Sequence, residues 1–341
     1  MHKAKRSFPR WALLAACLIT AFALGGRLLL GGNDGSSGTG QGKATGAGSS
    51  AGPYSDPPYD VVPLLKPAKK YFGAAVPGAP TSMKAADAYA RMVGKRPNLI
   101  EYYAGWGDGF DAGGVRRAWA EGALTLMSWE PFDTSLADIA AGKSDAYIEE
   151  YATAVRRLNL PVVVDFADEF NGHWDAWGTR HTTPAQYVAA WRHIHQRFLA
   201  AGASNVIWAW APNIVNPVPD VKLKPYYPGD AYVDWVGLVG YFTAGQDNAF
   251  DSVFGPTRDQ IRTFSKKPML LLETAAVPGE RRLADVSNLF AGVKADNMIG
   301  FIWFNYKKRA DWRLEASPLA LQEFKRLAAD DRFGFDVRKL S

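Results

Sequence analysis

The chain has 341 residues, 48% of them hydrophobic, 21% charged and 13% aromatic, which excludes a disordered tail and fits one large domain or two modest ones. A formal net charge of +5 raises nucleic-acid binding, but Lys3, Lys5, Arg6, Arg10 and Arg27 account for all of it, leaving 34 basic and 34 acidic side chains in the remainder. A neutral body removes the electrostatic support for a DNA- or RNA-binding protein.

Residues 1–30 read as a signal peptide or membrane anchor: a basic start, then an uncharged run from Trp11 to Leu24. That run spans roughly 21 Å as a helix, short of the ~30 Å hydrocarbon core unless Arg27 snorkels and Leu28 to Leu30 join in. Ala21-Phe22-Ala23 fits a cleavage pattern, and Cys17, the only cysteine, sits in a segment resembling a lipoprotein processing box. Secretion, retained anchoring and lipid attachment all place the domain outside the cytoplasm, secreted or tethered to the outer face of the cell membrane. With one cysteine there is no internal disulfide, so core packing alone must hold the fold.

Residues 31–56 form a Gly/Ser-rich linker with an r.m.s. reach of roughly 25 to 30 Å. Gly48-Ser49-Ser50-Ala51-Gly52 matches the G-x-S-x-G hydrolase pattern but lacks the strand before it and the helix after it, so it is low-complexity sequence meeting a short motif.

Residues 57–341 read as one domain. Eight apolar runs of strand length fall at 71–76, 99–104, 124–129, 161–167, 205–210, 235–241, 268–273 and 299–304. Helix candidates at 83–93, 144–159, 184–200, 256–265, 282–294 and 318–329 lie between most of them. Eight βα units in this length predict a (β/α)8 TIM barrel, in the α/β class. The other structural reading, an open doubly wound sheet, calls for a Gly-rich phosphate turn after an early strand, which the folded part lacks.

A barrel places its active site where the strands end at their carboxyl side. Four carboxylates qualify: Glu130 after the third run, Asp168 and Glu169 after the fourth, and Glu273 closing the seventh. Trp106, Trp129, Trp174, Trp177, Trp208, Trp210, Tyr241 and Trp303 gather near the same ends, and flat rings beside a few acids suit a carbohydrate. Core packing is the competing reading for each ring. Glycoside hydrolysis needs one carboxylic acid to protonate the leaving oxygen and one carboxylate to attack the sugar or activate water, and Glu169 and Glu273 are the best placed pair. Their separation decides between retention and inversion.

These residues resemble glycoside hydrolase family 26, whose best-known members are endo-β-1,4-mannanases of the (β/α)8 clan A. The family's acid/base motif, His-Glu-(Met/Phe)-Asn-Gly-x-Trp, corresponds to Asp168-Glu169-Phe170-Asn171-Gly172-His173-Trp174. Further matches follow in order: Ser128-Trp129-Glu130-Pro131, Trp210-Ala211-Pro212-Asn213, the stretch from Tyr226 to Tyr241, Lys267-Pro268 through Glu273-Thr274, and Trp303-Phe304-Asn305 to Asp311-Trp312-Arg313. The resemblance implies Glu169 as general acid/base and Glu273 as nucleophile of a retaining double displacement with no metal and no cofactor. It also implies that Trp174, Tyr241 and Trp303 line the sugar cleft, with the Tyr241 hydroxyl near the nucleophile. Asp168, Trp129 and Trp208 complete the expected substrate-binding set.

Three positions depart from the family pattern: Asp168 replaces a histidine, Asp165 an arginine, and Asp175 an aromatic. Strand alternation puts Asp165 on the side of Glu169, where an added acid raises a neighbouring pKa unless an arginine compensates. This bears on the mannan specificity more than on the fold, and reduced activity or an Asp165-Asp168-Glu169 cation site are further readings. His193 and His195 are two apart on a helix, where zinc pairs are four apart, and are expected on the helix surface. His173 and His181 near the motif carry no argument beyond proximity.

The expectation is an exported or membrane-tethered glycosidase, a monomer that takes a polysaccharide substrate and no nucleic acid and cleaves internal β-linkages. β-1,4-Mannan leads, with β-1,3-1,4-glucan and xylan behind it. Its rivals are a catalytically silent, surface-tethered polysaccharide-binding protein and an exopolysaccharide-processing factor on the same barrel.

Overall fold

In parallel strands covered on both faces by neighbours, nearly every position is apolar, which is why the eight runs stand out in the sequence. The computed structural model describes residues 54–340. The expected signal or anchor at 1–30, Cys17, the pattern at 48–52 and nearly all of the linker lie outside the described residues.

The strands are β1 (Tyr71–Ala75), β2 (Leu99–Gly105), β3 (Leu124–Glu130), β4 (Val162–Phe166), β5 (Val206–Trp210), β6 (Trp235–Val239), β7 (Met269–Thr274) and β8 (Gly300–Phe304). All pair in parallel and in sequence order, and β8 closes on β1, giving the (β/α)8 barrel. Each strand lies within two residues of the expected run. The helices are α1 (Val62–Leu65), α2 (Lys84–Val93), α3 (Ala112–Ala120), α4 (Leu136–Ala140), α5 (Asp145–Leu158), α6 (Pro184–Ala200), α7 (Phe250–Arg262), α8 (Arg282–Ala295) and α9 (Pro318–Ala328). No described helix is long and apolar enough to cross a membrane.

Helix α7 starts at Phe250, six residues before the expected Pro256, so proline lies inside it and not at its first turn. Pro256 has no N–H for the Ser252 carbonyl, and the Asn216 side-chain amide donates to that carbonyl instead (3.2 Å). Helix α6 begins where the sequence places it because Thr183 and Gln186 form a reciprocal capping box and Pro184 opens the first turn.

Alternation divides the strand residues between a lumen and a helix-facing shell. At the amino-terminal end the lumen is closed by Tyr71, Trp235 and Phe335, with ring centroids 5.0 and 5.1 Å from Tyr71. The Tyr71 hydroxyl and the Trp235 indole N–H donate to the Leu64 and Leu65 carbonyls of α1, which therefore caps the barrel floor. At the carboxyl end the lumen residues become acidic. Thr183→Ala removes the α6 cap and is expected to lower stability by about 1 kcal/mol with an unchanged denaturant slope, measured by urea unfolding.

Candidate active site

The segment after β4 shows what Glu169, Phe170, Asn171 and Gly172 of the Asp168–Trp174 motif do. Ala167 and Glu169 both adopt left-handed backbone (φ 52° and 49°), a costly state for side-chain-bearing residues that surrounding bonds must impose. They are fixed by Ala167 N–H to the Trp129 carbonyl (3.1 Å), Glu169 N–H to Ala211 (2.9 Å) and Gly172 N–H to Glu169 (2.7 Å). Phe170 is fully buried among Tyr187, Trp210 and Tyr226. The Asn171 side-chain amide donates to the Asn213 carbonyl (2.9 Å) and accepts from the Asn213 N–H (2.8 Å), tying the β4 loop to the end of β5. Gly172 is glycine because a Cβ there would overlap the Trp174 indole.

This bracing delivers Glu169 with both oxygens occupied. The Asn213 amide donates to one and the Trp174 indole N–H to the other (3.1 Å). On the opposite wall a bulge between β6 and β7 turns Glu273 inward, where the Tyr241 hydroxyl donates to Oε1 and the Tyr103 hydroxyl to Oε2. Tyr241 is in turn covered by Trp312 (centroids 4.6 Å apart). Tyr103, Asn213 and Trp312 belong to no expected set of binding residues. Tyr103 shares the lumen face of β2 with Glu101, a parity visible in the sequence, but its partner lies 170 residues away.

Asp165 faces the lumen as expected from alternation, with no solvent exposure and neither carboxyl oxygen hydrogen-bonded. Glu101, which strand-end logic passes over because it lies mid-strand, is buried beside it and accepts from Ser128 Oγ (3.2 Å). Asp168 is half-buried, and its carbonyl accepts from the Trp177 indole N–H (2.6 Å). Among the described residues no group of three or more His, Cys, Asp or Glu comes together to hold a metal ion, so an Asp165-Asp168-Glu169 cation site does not form.

Three expected cleft residues lie elsewhere. Trp129 points outward to Tyr151 of α5 and Phe198 of α6, Trp208 to Trp191, His195 and Phe198 of α6, and Trp303 to Phe324 of α9. Each occupies the strand face opposite the carboxylates, so these indoles join barrel to helices and do not line the cleft. His195 is likewise no surface residue: it packs on Trp208 and Tyr232, and burial lowers its pKa. His193, half-buried, contacts Asp145 (2.6 Å).

Burial controls the charge state of this cluster. It raises the Glu169 carboxyl well above the usual range, reinforced by Asp168, Glu273 and Asp175 and opposed by the Asn213 hydrogen bond. Glu273 is also raised by burial, but the Tyr103 and Tyr241 hydroxyls and the Lys308 charge pull it back. Glu130 is pushed up to about 9 by burial and by Asp168, and Asp175 to about 7 by burial. Glu169 is thus held toward the neutral acid more strongly than Glu273, the kind of difference that acid-assisted displacement uses.

Residues 134–264 match the profile of glycosyl hydrolase family 26. That stretch of the chain is similar to this family. The chain is 28% identical over 265 residues to Endoglucanase H of Acetivibrio thermocellus, covering 73% of this chain and 29% of that protein. It is 30% identical over 151 residues to the β-1,3-xylanase TXYA of a Vibrio species, covering 44% and 30%. The chain thus spans less than a third of the length of these relatives. Among solved structures, a modular endo-β-1,4-mannanase from Cellulomonas fimi superposes with a TM-score of 0.65 at 20% identity, covering 81% of this chain and 74% of that one, a likeness of fold.

Carboxyls whose pKa is raised by folding stabilise the protein fully below their unfolded pKa and lose that contribution as pH rises through the folded value. For Glu130 the window runs from the ordinary glutamate range to about 9. Thermal stability is therefore expected to fall between pH 5 and pH 8, and Glu130→Gln to raise Tm at pH 8 by about 2 °C or more with little effect at pH 4, read by calorimetry.

Proposed function

We propose that this protein is an exported retaining glycosidase that cleaves internal β-linkages of a polysaccharide, with Glu169 as general acid/base and Glu273 as nucleophile. The observation that carries this reading is the unlike treatment of two buried carboxylates at the barrel mouth. Glu273 receives a hydroxyl hydrogen on each oxygen and lies in the field of Lys308, which favour the anion, while Glu169, with N–H donors on its two oxygens, also bears the negative charge of Asp168, Glu273 and Asp175, which favours the acid.

In the first step the Glu273 carboxylate attacks the anomeric carbon as Glu169 gives its proton to the departing glycosidic oxygen, leaving a glycosyl ester on Glu273. Glu169, now a carboxylate, takes a proton from water, which attacks the same carbon and releases the sugar with its configuration retained. The Trp174 N–H and Asn213 amide hold Glu169 in place through both of its protonation states. The Tyr241 and Tyr103 hydroxyls fix which lone pair of Glu273 faces the substrate. β-1,4-Mannan is the leading substrate, and a mixed-linkage β-glucan follows, supported by the alignment to an endoglucanase over 73% of this chain.

The test is reducing-end release by the full chain on mannan, mixed-linkage glucan and xylan. Glu169→Ala and Glu273→Ala are each expected to lower polymer cleavage by about 10²- to 10⁴-fold. Glu169→Ala should spare the first step on an aryl glycoside whose leaving group needs no proton, while Glu273→Ala should not. Binding of a polymer without cleavage would replace this reading with a surface-tethered binding protein. Export is tested by assaying culture supernatant, membranes and cytosol of the producing cell, with the protein expected in either of the first two.

Trp174→Phe removes the indole donor to Glu169 while keeping an aromatic face, and is expected to lower kcat about 10-fold or more. Trp208→Phe is expected to leave KM and kcat within about twofold and to act on stability alone.

A further inference from the structure

The barrel mouth is rich in acids. Glu273 is faced by Glu101 and Tyr103 from β2, Glu130 from β3, Asp165 from β4, and Asp168, Glu169 and Asp175 from the segment after β4. Tyr241 approaches from the end of β6, and Tyr306 and Lys308 from the segment after β8. Arg309 in that segment acts on Asp175.

Lys308 has a defined seat. Its Nζ stands 5.4 Å from the ring centroid of Tyr103, 5.2 Å from Phe304 and 5.5 Å from Tyr306. Phe304 and Tyr306 are stacked (4.7 Å, 21°), and Tyr103 meets Tyr306 edge-on (6.5 Å, 78°), so the three faces form a cradle for an ammonium. One of these rings, Tyr103, donates its hydroxyl to Glu273.

We propose that Lys308 is a positioning residue for the nucleophile: seated on Tyr103, Phe304 and Tyr306, its ammonium supplies the positive field in which Glu273 stays a carboxylate among acids. The inference rests on the assignment of Glu273 above and deepens it. An ammonium over the Tyr103 face also restrains the ring whose hydroxyl binds Oε2, so charge and geometry act on the same carboxylate. The side chain is exposed, which makes its field sensitive to salt.

The experiment compares the full chain with Lys308→Gln and Lys308→Arg, each labelled with ¹³Cδ-glutamate, with Glu273→Gln used to assign the Glu273 resonance. Lys308→Gln is expected to raise the Glu273 titration midpoint by about half a pH unit or more, and to move the acid limb of kcat/KM upward by the same amount, since the nucleophile must be ionised. The loss should fall on kcat at low pH more than on KM, and Lys308→Arg should restore both readouts. Salt at about 0.5 M should move the wild-type midpoint toward that of Lys308→Gln and leave the variant where it is. An unchanged Glu273 midpoint in Lys308→Gln, or an arginine variant as impaired as the glutamine one, would overturn the proposal. Where no polymer is cleaved by the wild type, the glycosidase reading falls, while the NMR titration still decides whether Lys308 controls Glu273.

Discussion

The constraint on which this molecule turns is the cost of burying carboxylates together. Glu101, Glu130, Asp165, Glu169 and Glu273 are each at most 4% exposed at the mouth and upper lumen of one barrel, and an unpaired buried anion is among the most expensive things a fold can hold. The protein meets that cost in two ways. Some carboxyls are driven toward the neutral form, as Glu130 and Asp165 are, and Glu273 is compensated by hydroxyl donors on both oxygens together with the Lys308 charge. Burial acts on both Glu169 and Glu273, and the two are set apart by their surroundings: negative neighbours around Glu169, hydroxyl donors and the Lys308 charge at Glu273.

Holding those donors requires a rigid surround, and the aromatic shell provides it. Trp129, Trp208 and Trp303 knit β3, β5 and β8 to the helices outside them, and Phe170 locks the loop after β4 onto Tyr187 and Trp210. The left-handed backbone at Ala167 and Glu169 is a local cost that this packing sustains. The reciprocal amide pair of Asn171 and Asn213 carries rigidity from β4 to β5, so the donor to Glu169 and the segment bearing Glu169 move as one body.

Much of this was legible in the sequence, for identifiable reasons. Parallel strands buried on both faces are continuous apolar runs, so all eight are visible in the sequence, and carboxylates at strand ends single out Glu169 and Glu273 as the candidate pair. The tryptophans misled because proximity to a strand end says nothing about which face a ring takes. Trp129 is adjacent to Glu130 and Trp303 to Phe304, and alternation puts each neighbour on the other side. Tyr103 and Lys308 were out of reach, since their importance lies in contacts made across the barrel to residues far away in the chain. The start of helix α7 is hidden in the sequence because Pro256 reads as a first-turn residue, whereas the Asn216 side chain satisfies the Ser252 carbonyl that the proline leaves free.

The decisive question is which side chain takes the sugar. Incubating the full chain with 2-deoxy-2-fluoro β-mannobioside and β-cellobioside fluorides, then digesting it for peptide mass spectrometry, traps the covalent intermediate of a retaining enzyme. A single added glycosyl mass is expected on the peptide containing Glu273. A label on Glu169, Glu101 or Glu130 would contradict it, as would turnover of the parent glycan with inversion of configuration.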